Sequence, residues 1–219
     1  MRRSAPPDEP SADSVRNPRK TVQQGYNEIA DAYLAARSPD SENVHLLDDL
    51  ERRLAPGARI LDAGCGAGVP VARRLSRTFR VVGVDFAEHQ LRKAVSLVPQ
   101  ARFACQDIAA LGFPDAIFDA VCSYYAVIHI PRSEHARILR DFHRLLKASG
   151  LALLCLGAED LERDVEENYF GARMYWSHYD AETNLSLLRG SGFEVIWSRV
   201  VEDDQQPGSG HLFVLSRKT

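Results

Sequence analysis

Apolar positions along the chain follow two alternating rhythms. Short apolar runs occur near 59–63, at Val81 to Val84, at Phe103 to Cys105, at Phe118 to Tyr124 and near 151–156, each of a length that suits a buried strand. Between them apolar residues return at helical spacing, as at Leu91 and Ala94 and again at Ile138, Leu139, Phe142 and Leu146. Strands alternating with helices predict a parallel sheet with helices on its faces. Ahead of the first strand, Val22, Tyr26, Ile29, Ala30 and Tyr33 predict one amphipathic helix. Gly25 lies inside it at a cost of about 1 kcal/mol relative to alanine, so a tertiary contact or a hinge is expected there. Val44, Leu47, Leu50 and Leu54 predict a second helix, which Pro56-Gly57 ends.

Beyond the fifth strand the pattern weakens. Ala158 to Tyr179 is acidic first and aromatic later, without clear periodicity. Asp180 is placed to cap a helix through Leu185 and Leu188 that Gly192 stops. Phe193 to Val200 and His211 to Arg217 read as strands joined by turn chemistry from Glu202 to Gly210, and strands joined without a crossover helix are antiparallel neighbours. Residues 1–16, rich in Pro, Ser, Asp and Arg, predict a disordered tail, and residues 17–219 a single domain.

Composition narrows the function classes. A net charge of −3 gives no global positive field for a nucleic-acid backbone. No apolar run reaches the roughly 18 residues of a membrane-spanning helix, and no apolar segment follows Arg2 and Arg3 as in a secretory signal. Cys65, Cys105, Cys122 and Cys155 lack metal-ligand spacing and read as free buried thiols, so a cytoplasmic protein without a metal is expected.

The chemistry concentrates in Ile60-Leu61-Asp62-Ala63-Gly64-Cys65-Gly66-Ala67-Gly68-Val69-Pro70. A buried strand that ends in alternating glycines and enters a helix presents bare backbone N–H groups to a ligand. Asp85, closing the next strand, sits at about the interval at which α/β nucleotide folds place a carboxylate on ribose hydroxyls. Val69-Pro70 stands where a dinucleotide fingerprint needs its third glycine, which weakens an NAD-dependent oxidoreductase reading.

The order acid-x-Gly-x-Gly-x-Gly, then Asp85, then Asp107, resembles the class I S-adenosylmethionine-dependent methyltransferases. Phe103 to Ile108, Phe118 to Tyr124 and Arg144 to Gly150 extend the resemblance, although Lys147-Ala148-Ser149-Gly150 replaces the usual Lys-Pro-Gly-Gly. The resemblance implies a Rossmann-like, doubly wound α/β fold: seven strands, mostly parallel, with an antiparallel C-terminal strand. Its cofactor is S-adenosylmethionine, leaving as S-adenosylhomocysteine. The glycine loop (Asp62, Gly64, Cys65, Gly66, Gly68, Pro70) is expected at the methionine end, with Tyr124 bringing a carbonyl towards the ammonium group. Asp85 is expected on the ribose, Asp107 at the adenine amino group, Phe86 and Ile108 on either side of the adenine ring, and Gln90 and Gln106 among the other cofactor-binding residues.

Each assignment has a plainer competitor. Asp85 also suits a helix cap near Ala87, Asp107 an ordinary turn, and Phe86 and Ile108 plain core packing. Tyr26 and Tyr33 fit a lid over the cofactor, within N-terminal helices at 17–56, or a core seam. His129, beyond strand four, and His178, in a substrate-covering segment at 157–180, are the candidate general bases. Ser123-Tyr124-Tyr125-Ala126 lacks the Asn/Asp-Pro-Pro-aromatic motif of exocyclic-amine DNA methyltransferases, no Pro-Cys nucleophile occurs, and neither a glutamate pair nor a metal-holding carboxylate cluster is evident. The expectation is methyl transfer to O, N or S of a small organic acceptor, with no nucleic-acid or membrane partner and an oligomeric state the sequence does not give. A methyltransferase-like nucleoside-binding protein without catalysis is the other reading.

Overall fold

The computed structural model describes residues 17–38, 41–203 and 206–219; the expected disordered tail at 1–16 lies outside them. Helices α1 (Pro18–Glu28), α2 (Ala30–Ala36), α3 (Glu42–His45) and α4 (Leu47–Arg53) precede the sheet. Then come β1 (Arg59–Ala63), α5 (Val71–Leu75), β2 (Arg80–Asp85), α6 (Glu88–Leu97), β3 (Arg102–Cys105) and β4 (Phe118–Ser123). The chain continues through α7 (His135–Leu145), β5 (Leu146–Gly157), β6 (Leu161–Tyr169), β7 (Ala172–His178), α8 (Ala181–Gly190), β8 (Phe193–Asp203) and β9 (Gln206–Lys218).

Seven strands form one sheet in the order β3-β2-β1-β4-β5-β9-β8. Strands β1 to β5 are mutually parallel, and β9 is antiparallel to both of its neighbours, as expected. Alternate residues of the central strands enter different cores. Leu61, Val84 and Val121 pack with Ile138, Leu139 and Phe142 of α7 on one face. Ile60, Val81 and Ala120 pack with Leu47, Leu50 and Leu75 on the other. Burial on both faces is what near-continuous apolar strands require.

Several local expectations change. The single helix expected over 22–33 breaks at Ile29 into α1 and α2, and that over 44–54 breaks at Leu46. Gly25 has its tertiary contact: a Cβ there would stand 2.6 Å from the Arg173 carbonyl oxygen, so α1 lies directly on β7. Strand β5 starts at Leu146, not 151, because Leu146 already pairs with Phe118 across a bulge. The aperiodic stretch 158–179 contains a two-stranded hairpin, β6 with β7. Cys105 is exposed rather than buried, since β3 is an edge strand, while the other three thiols are buried and all four are free. Between β8 and β9, Asp203 pairs with Gln206, so strand replaces most of the expected turn, and Asp204 and Gln205 lie outside the described residues.

A third apolar cluster joins Val22 and Ile29 to Tyr169, Met174 and Tyr175, with Tyr26, Tyr33, Phe86 and Trp176 against it. It ties the N-terminal helices to the β6–β7 hairpin beside the loops that follow β2, β3 and β4.

Candidate cofactor and acceptor site

The glycine loop leaves the middle of the sheet. Gly64 and Cys65 donate their N–H groups to the Val84 carbonyl at 2.8 and 2.9 Å, which locks the loop to the end of β2. Gly64 has φ +81°, and a Cβ there would collide with the Ala126 side chain after β4. Gly68 differs from the other two: it lines no part of the cleft, and a Cβ there would press on Val98 and Phe103, so its smallness serves packing. Pro70 caps α5 from just outside the helix, where its missing N–H costs nothing.

Asp85 answers both of its expected descriptions. One carboxylate oxygen accepts the Gly66 N–H at 2.9 Å, and the other accepts the Ala87 N–H at 2.8 Å. Burial pushes its pKa up, while these backbone donors hold it down. Asp62 is 1% exposed, and one of its oxygens has no hydrogen-bond partner. Burial and the neighbouring Asp85 charge push its pKa up to about 7, against the Ala72 N–H. A buried oxygen without a donor is costly unless a ligand supplies one.

The turn after β3 is anchored next to Asp85: the Gln106 N–H donates to the Asp85 carbonyl at 3.0 Å, and the Gln106 side-chain oxygen accepts from the Gly112 N–H at 3.0 Å. Asp107 makes the local turn, accepting from the Ala109 N–H at 2.8 Å, and its other oxygen faces the Arg19 guanidinium of α1 at 3.4 Å. Ile108 is buried and Phe86 half-buried.

Two cavities open on either side of the loop, about 640 and 740 Å³ counted out to bulk solvent. Asp85, Phe86, Gln106, Asp107 and Ile108 line the smaller with Tyr26 and His129; Asp62, Cys65 and Pro70 line the larger. Both share Tyr33, Gly64, Gly66, Gln90, Tyr124 and Tyr125, so they form one cleft. Gln90 is 1% exposed, donates to the Tyr26 carbonyl at 3.3 Å and leaves its own oxygen without a partner. Tyr124 directs its hydroxyl away into the core, to the Asn43 carbonyl at 3.0 Å.

The two histidines part company. His129 is 3% exposed, with Nδ1 at 2.8 Å from the Tyr175 carbonyl and Nε2 at 2.8 Å from the Tyr26 hydroxyl. A carbonyl only accepts, so Nδ1 carries the proton and the Nε2 lone pair takes the Tyr26 O–H. Burial pulls the His129 pKa down to about 3. His178 lies outside the cleft, its Nδ1 bonded to the Glu159 carbonyl at 2.8 Å, because the end of β7 packs onto Gly157.

Four cleft residues escaped the sequence reading. Arg19 reaches Asp107 from α1. Arg37 lies over the Tyr33 and Tyr125 rings, at 4.4 and 4.3 Å from their centroids. Tyr125 has φ +54°, an uncommon conformation for a bulky residue, and its hydroxyl accepts from the Asn43 side-chain amide at 2.6 Å. Only Tyr125 adjoined a motif. No cluster of three or more His, Cys, Asp or Glu that suits a metal occurs among the described residues, and none of their helices is long and apolar enough to cross a membrane.

The known proteins that this chain is similar to are methyltransferases. Residues 60–150 match the family described as "Methyltransferase domain". The 2-methyl-6-phytyl-1,4-hydroquinone methyltransferase of Synechocystis is 32% identical over 136 residues, which are 57% of this chain and 42% of that protein. The 27-O-demethylrifamycin SV methyltransferase of Amycolatopsis mediterranei is 34% identical over 125 residues, 52% of this chain and 45% of that protein. The chain therefore spans less than half the length of either relative. Among solved structures, the 1,6-didemethyltoxoflavin-N1-methyltransferase of Burkholderia thailandensis, with 1,6-didemethyltoxoflavin and S-adenosylhomocysteine bound, superposes with a TM-score of 0.71 at 21% identity. That alignment covers 99% of this chain and 93% of the other. Residues 60–150 thus match a methyltransferase domain in sequence, and the chain has the Rossmann-like fold seen in S-adenosylmethionine-dependent methyltransferases.

Proposed function

We propose that the chain is an S-adenosylmethionine-dependent methyltransferase that moves a methyl group to an O, N or S atom of a small organic acceptor by in-line displacement. The observation that carries the reading is the Asp85 carboxylate, buried at the end of β2 and pinned to the glycine loop through the Gly66 N–H, in one cavity with Phe86, Asp107 and Ile108. The unpartnered oxygens of Asp62 and Gln90 fit the same ligand, since an ammonium group and hydroxyls are the donors they lack.

Bound S-adenosylmethionine supplies an already activated methyl group, so the protein's task is alignment and exclusion of water. Holding two reactants in line is worth roughly 7–11 kcal/mol of barrier. In this proposal Asp85 accepts from the ribose hydroxyls with its remaining lone pairs, Phe86 and Ile108 flank the adenine, and Asp107 takes its amino group. Asp62 and the glycine loop hold the amino-acid end. Tyr26, Tyr33 and the α1–α2 segment, with the β6–β7 hairpin, form the lid. His129, with Nε2 taken by the Tyr26 hydroxyl and its pKa lowered to about 3 by burial, is a weak base, so its part is to hold Tyr26 in the lid and the reaction suits acceptors that ionise unaided. His178, outside the cleft, carries no part of the chemistry. A cytoplasmic setting belongs to the same proposal, supported by the four free thiols.

Calorimetric titration with S-adenosylhomocysteine and NADH tests the nucleoside assignment, with binding of the first alone expected. Turnover across an acceptor panel then separates an enzyme from a binding protein.

A further inference from the structure

The tip of the β6–β7 hairpin breaks the chemistry of its own turn. Tyr169 pairs with Ala172, so Phe170-Gly171 is a two-residue loop, and both residues have positive φ, +52° and +99°. Such a loop favours Asn-Gly or Asp-Gly, because its first position as well as its second lies in the left-handed region that bulky side chains resist. Gly171 meets that demand and Phe170 does not. Nor does burial repay the strain: Phe170 is 39% exposed, and no other aromatic residue among the described ones is exposed. A strained, water-facing aromatic ring serves neither turn nor core, which is the pattern of a residue kept for function. Its place in the fold supplies the function. The ring reaches from the hairpin to α2, standing edge-on to Tyr33 at 6.1 Å between centroids and to Tyr169 at 4.9 Å. Tyr33 and Tyr169 are themselves 6.3 Å apart. The three rings meet where the two halves of the lid come together, and Tyr33 lines both cavities of the cleft. Phe170 lines neither cavity, so it stands at the rim, outside the space assigned to the cofactor.

We propose that Phe170 is an acceptor-binding residue, which with Tyr33 receives a planar, uncharged aromatic acceptor at the mouth between α2 and the hairpin. The inference rests on the methyltransferase reading and deepens it by naming the acceptor's class. Ring faces and edges are what these side chains offer, and stacked or edge-to-face contact with a flat ring adds to the plain burial of apolar area. The charges nearby do not call for an ionic acceptor. On the hairpin, Arg173 and Glu167 pair with each other at 2.7 Å. The Arg37 guanidinium over Tyr33 lines the cavity given to the cofactor's amino-acid end, where the methyltransferase reading commits it to that end's carboxylate.

The test uses the full chain saturated with S-adenosylhomocysteine and, as probes, 2-naphthol against decahydro-2-naphthol, which keeps the carbon skeleton and the hydroxyl but is neither flat nor aromatic. Apolar burial alone gives the flat probe no advantage, whereas contact with two or three rings predicts that the wild type binds 2-naphthol about tenfold more tightly. Phe170→Asn, which suits the turn, is expected to abolish that preference while Tm stays level or rises, and Phe170→Tyr to keep it. Loss of binding without loss of stability separates a ligand contact from a packing contact, whose removal lowers Tm. Affinity for S-adenosylhomocysteine, unchanged in both variants, reports that the cleft is intact. Equal binding of the two probes by the wild type overturns the inference. So does a preference that survives Phe170→Asn, or a Phe170→Asn variant that lowers Tm and weakens S-adenosylhomocysteine, since Phe170 then serves the packing of the lid. Failure of the wild type to bind S-adenosylhomocysteine at all is a different result and removes the methyltransferase reading itself.

Discussion

Asp85 does two jobs with one carboxylate, and its substitutions separate them. Asp85→Asn keeps an acceptor for one backbone N–H but loses the charge; Asp85→Ala frees both donors and empties the space. Loss of one or two charge-assisted hydrogen bonds predicts weaker S-adenosylhomocysteine binding by about 10- to 100-fold in the asparagine variant and more in alanine, measured by calorimetry. His129→Ala is expected to cost less in cofactor affinity, because both ring nitrogens are bonded to Tyr26 and Tyr175 and leave no polar group for the cofactor. Asp62 gives a pH signature. Its folded pKa, near 7, exceeds the usual carboxylate value, so its contribution to stability is fully present below about pH 4 and is lost as pH rises towards 7. Asp62→Asn is therefore expected to raise Tm by a few degrees at pH 7.5, to leave it nearly unchanged at pH 4, and to weaken cofactor binding. His129 acts in the opposite sense: its depressed pKa, about 3, withholds stability as pH falls below about 6.5. Both profiles are read from thermal melts across pH. The residues legible in the sequence, Asp62 to Gly66, Asp85 and Asp107, are those whose chemistry and position coincide within a strand-to-turn unit. Arg37 and Asn43 were not legible, because only the packing of α2 and α3 against the end of β4 brings them to Tyr125.

Helix α1 is fastened along the nucleoside side by a row of side chains. Arg19 faces Asp107, the Gln23 amide donates to the Phe86 carbonyl at 2.8 Å, Asn27 accepts from the His89 N–H at 2.9 Å, and Tyr26 meets His129. Asp31 of α2 continues the row by pairing with Lys93. On its other side the helix touches β7 through Gly25. Gly25→Ala gains about 1 kcal/mol of helix propensity but drives a methyl into a backbone oxygen, which has less room to yield than a side chain. The collision is expected to win. Tm should fall by a few degrees, and limited proteolysis should cut first within residues 18–36 or 158–179 while the sheet stays protected. The hairpin of β6 and β7 was not legible because its register shifts twice, near Leu161 and near Glu166, and each shift breaks the period-two alternation. The helix break at Ile29 was hidden for the converse reason: the apolar spacing runs unbroken across it, with Tyr26 and Tyr33 still 5.2 Å apart on the same cleft.

At the scale of the molecule, the fold was legible almost whole, since strands buried on both faces and crossover helices leave few other arrangements of this pattern. Function sits where those strands end. The glycine loop, the two acids and the tyrosine-rich N-terminal helices converge on one cleft, and the account stands on that cleft being a nucleoside site. Thermal melting of the wild type and Asp85→Ala with S-adenosylhomocysteine, and separately with NADH, tests this most directly. Ligand at a hundred times its Kd adds about 2.7 kcal/mol, or roughly 5–11 °C for a domain of this size. The account predicts that rise for the wild type with S-adenosylhomocysteine alone, and its loss in Asp85→Ala. A rise with NADH alone, or none with either ligand, would contradict it.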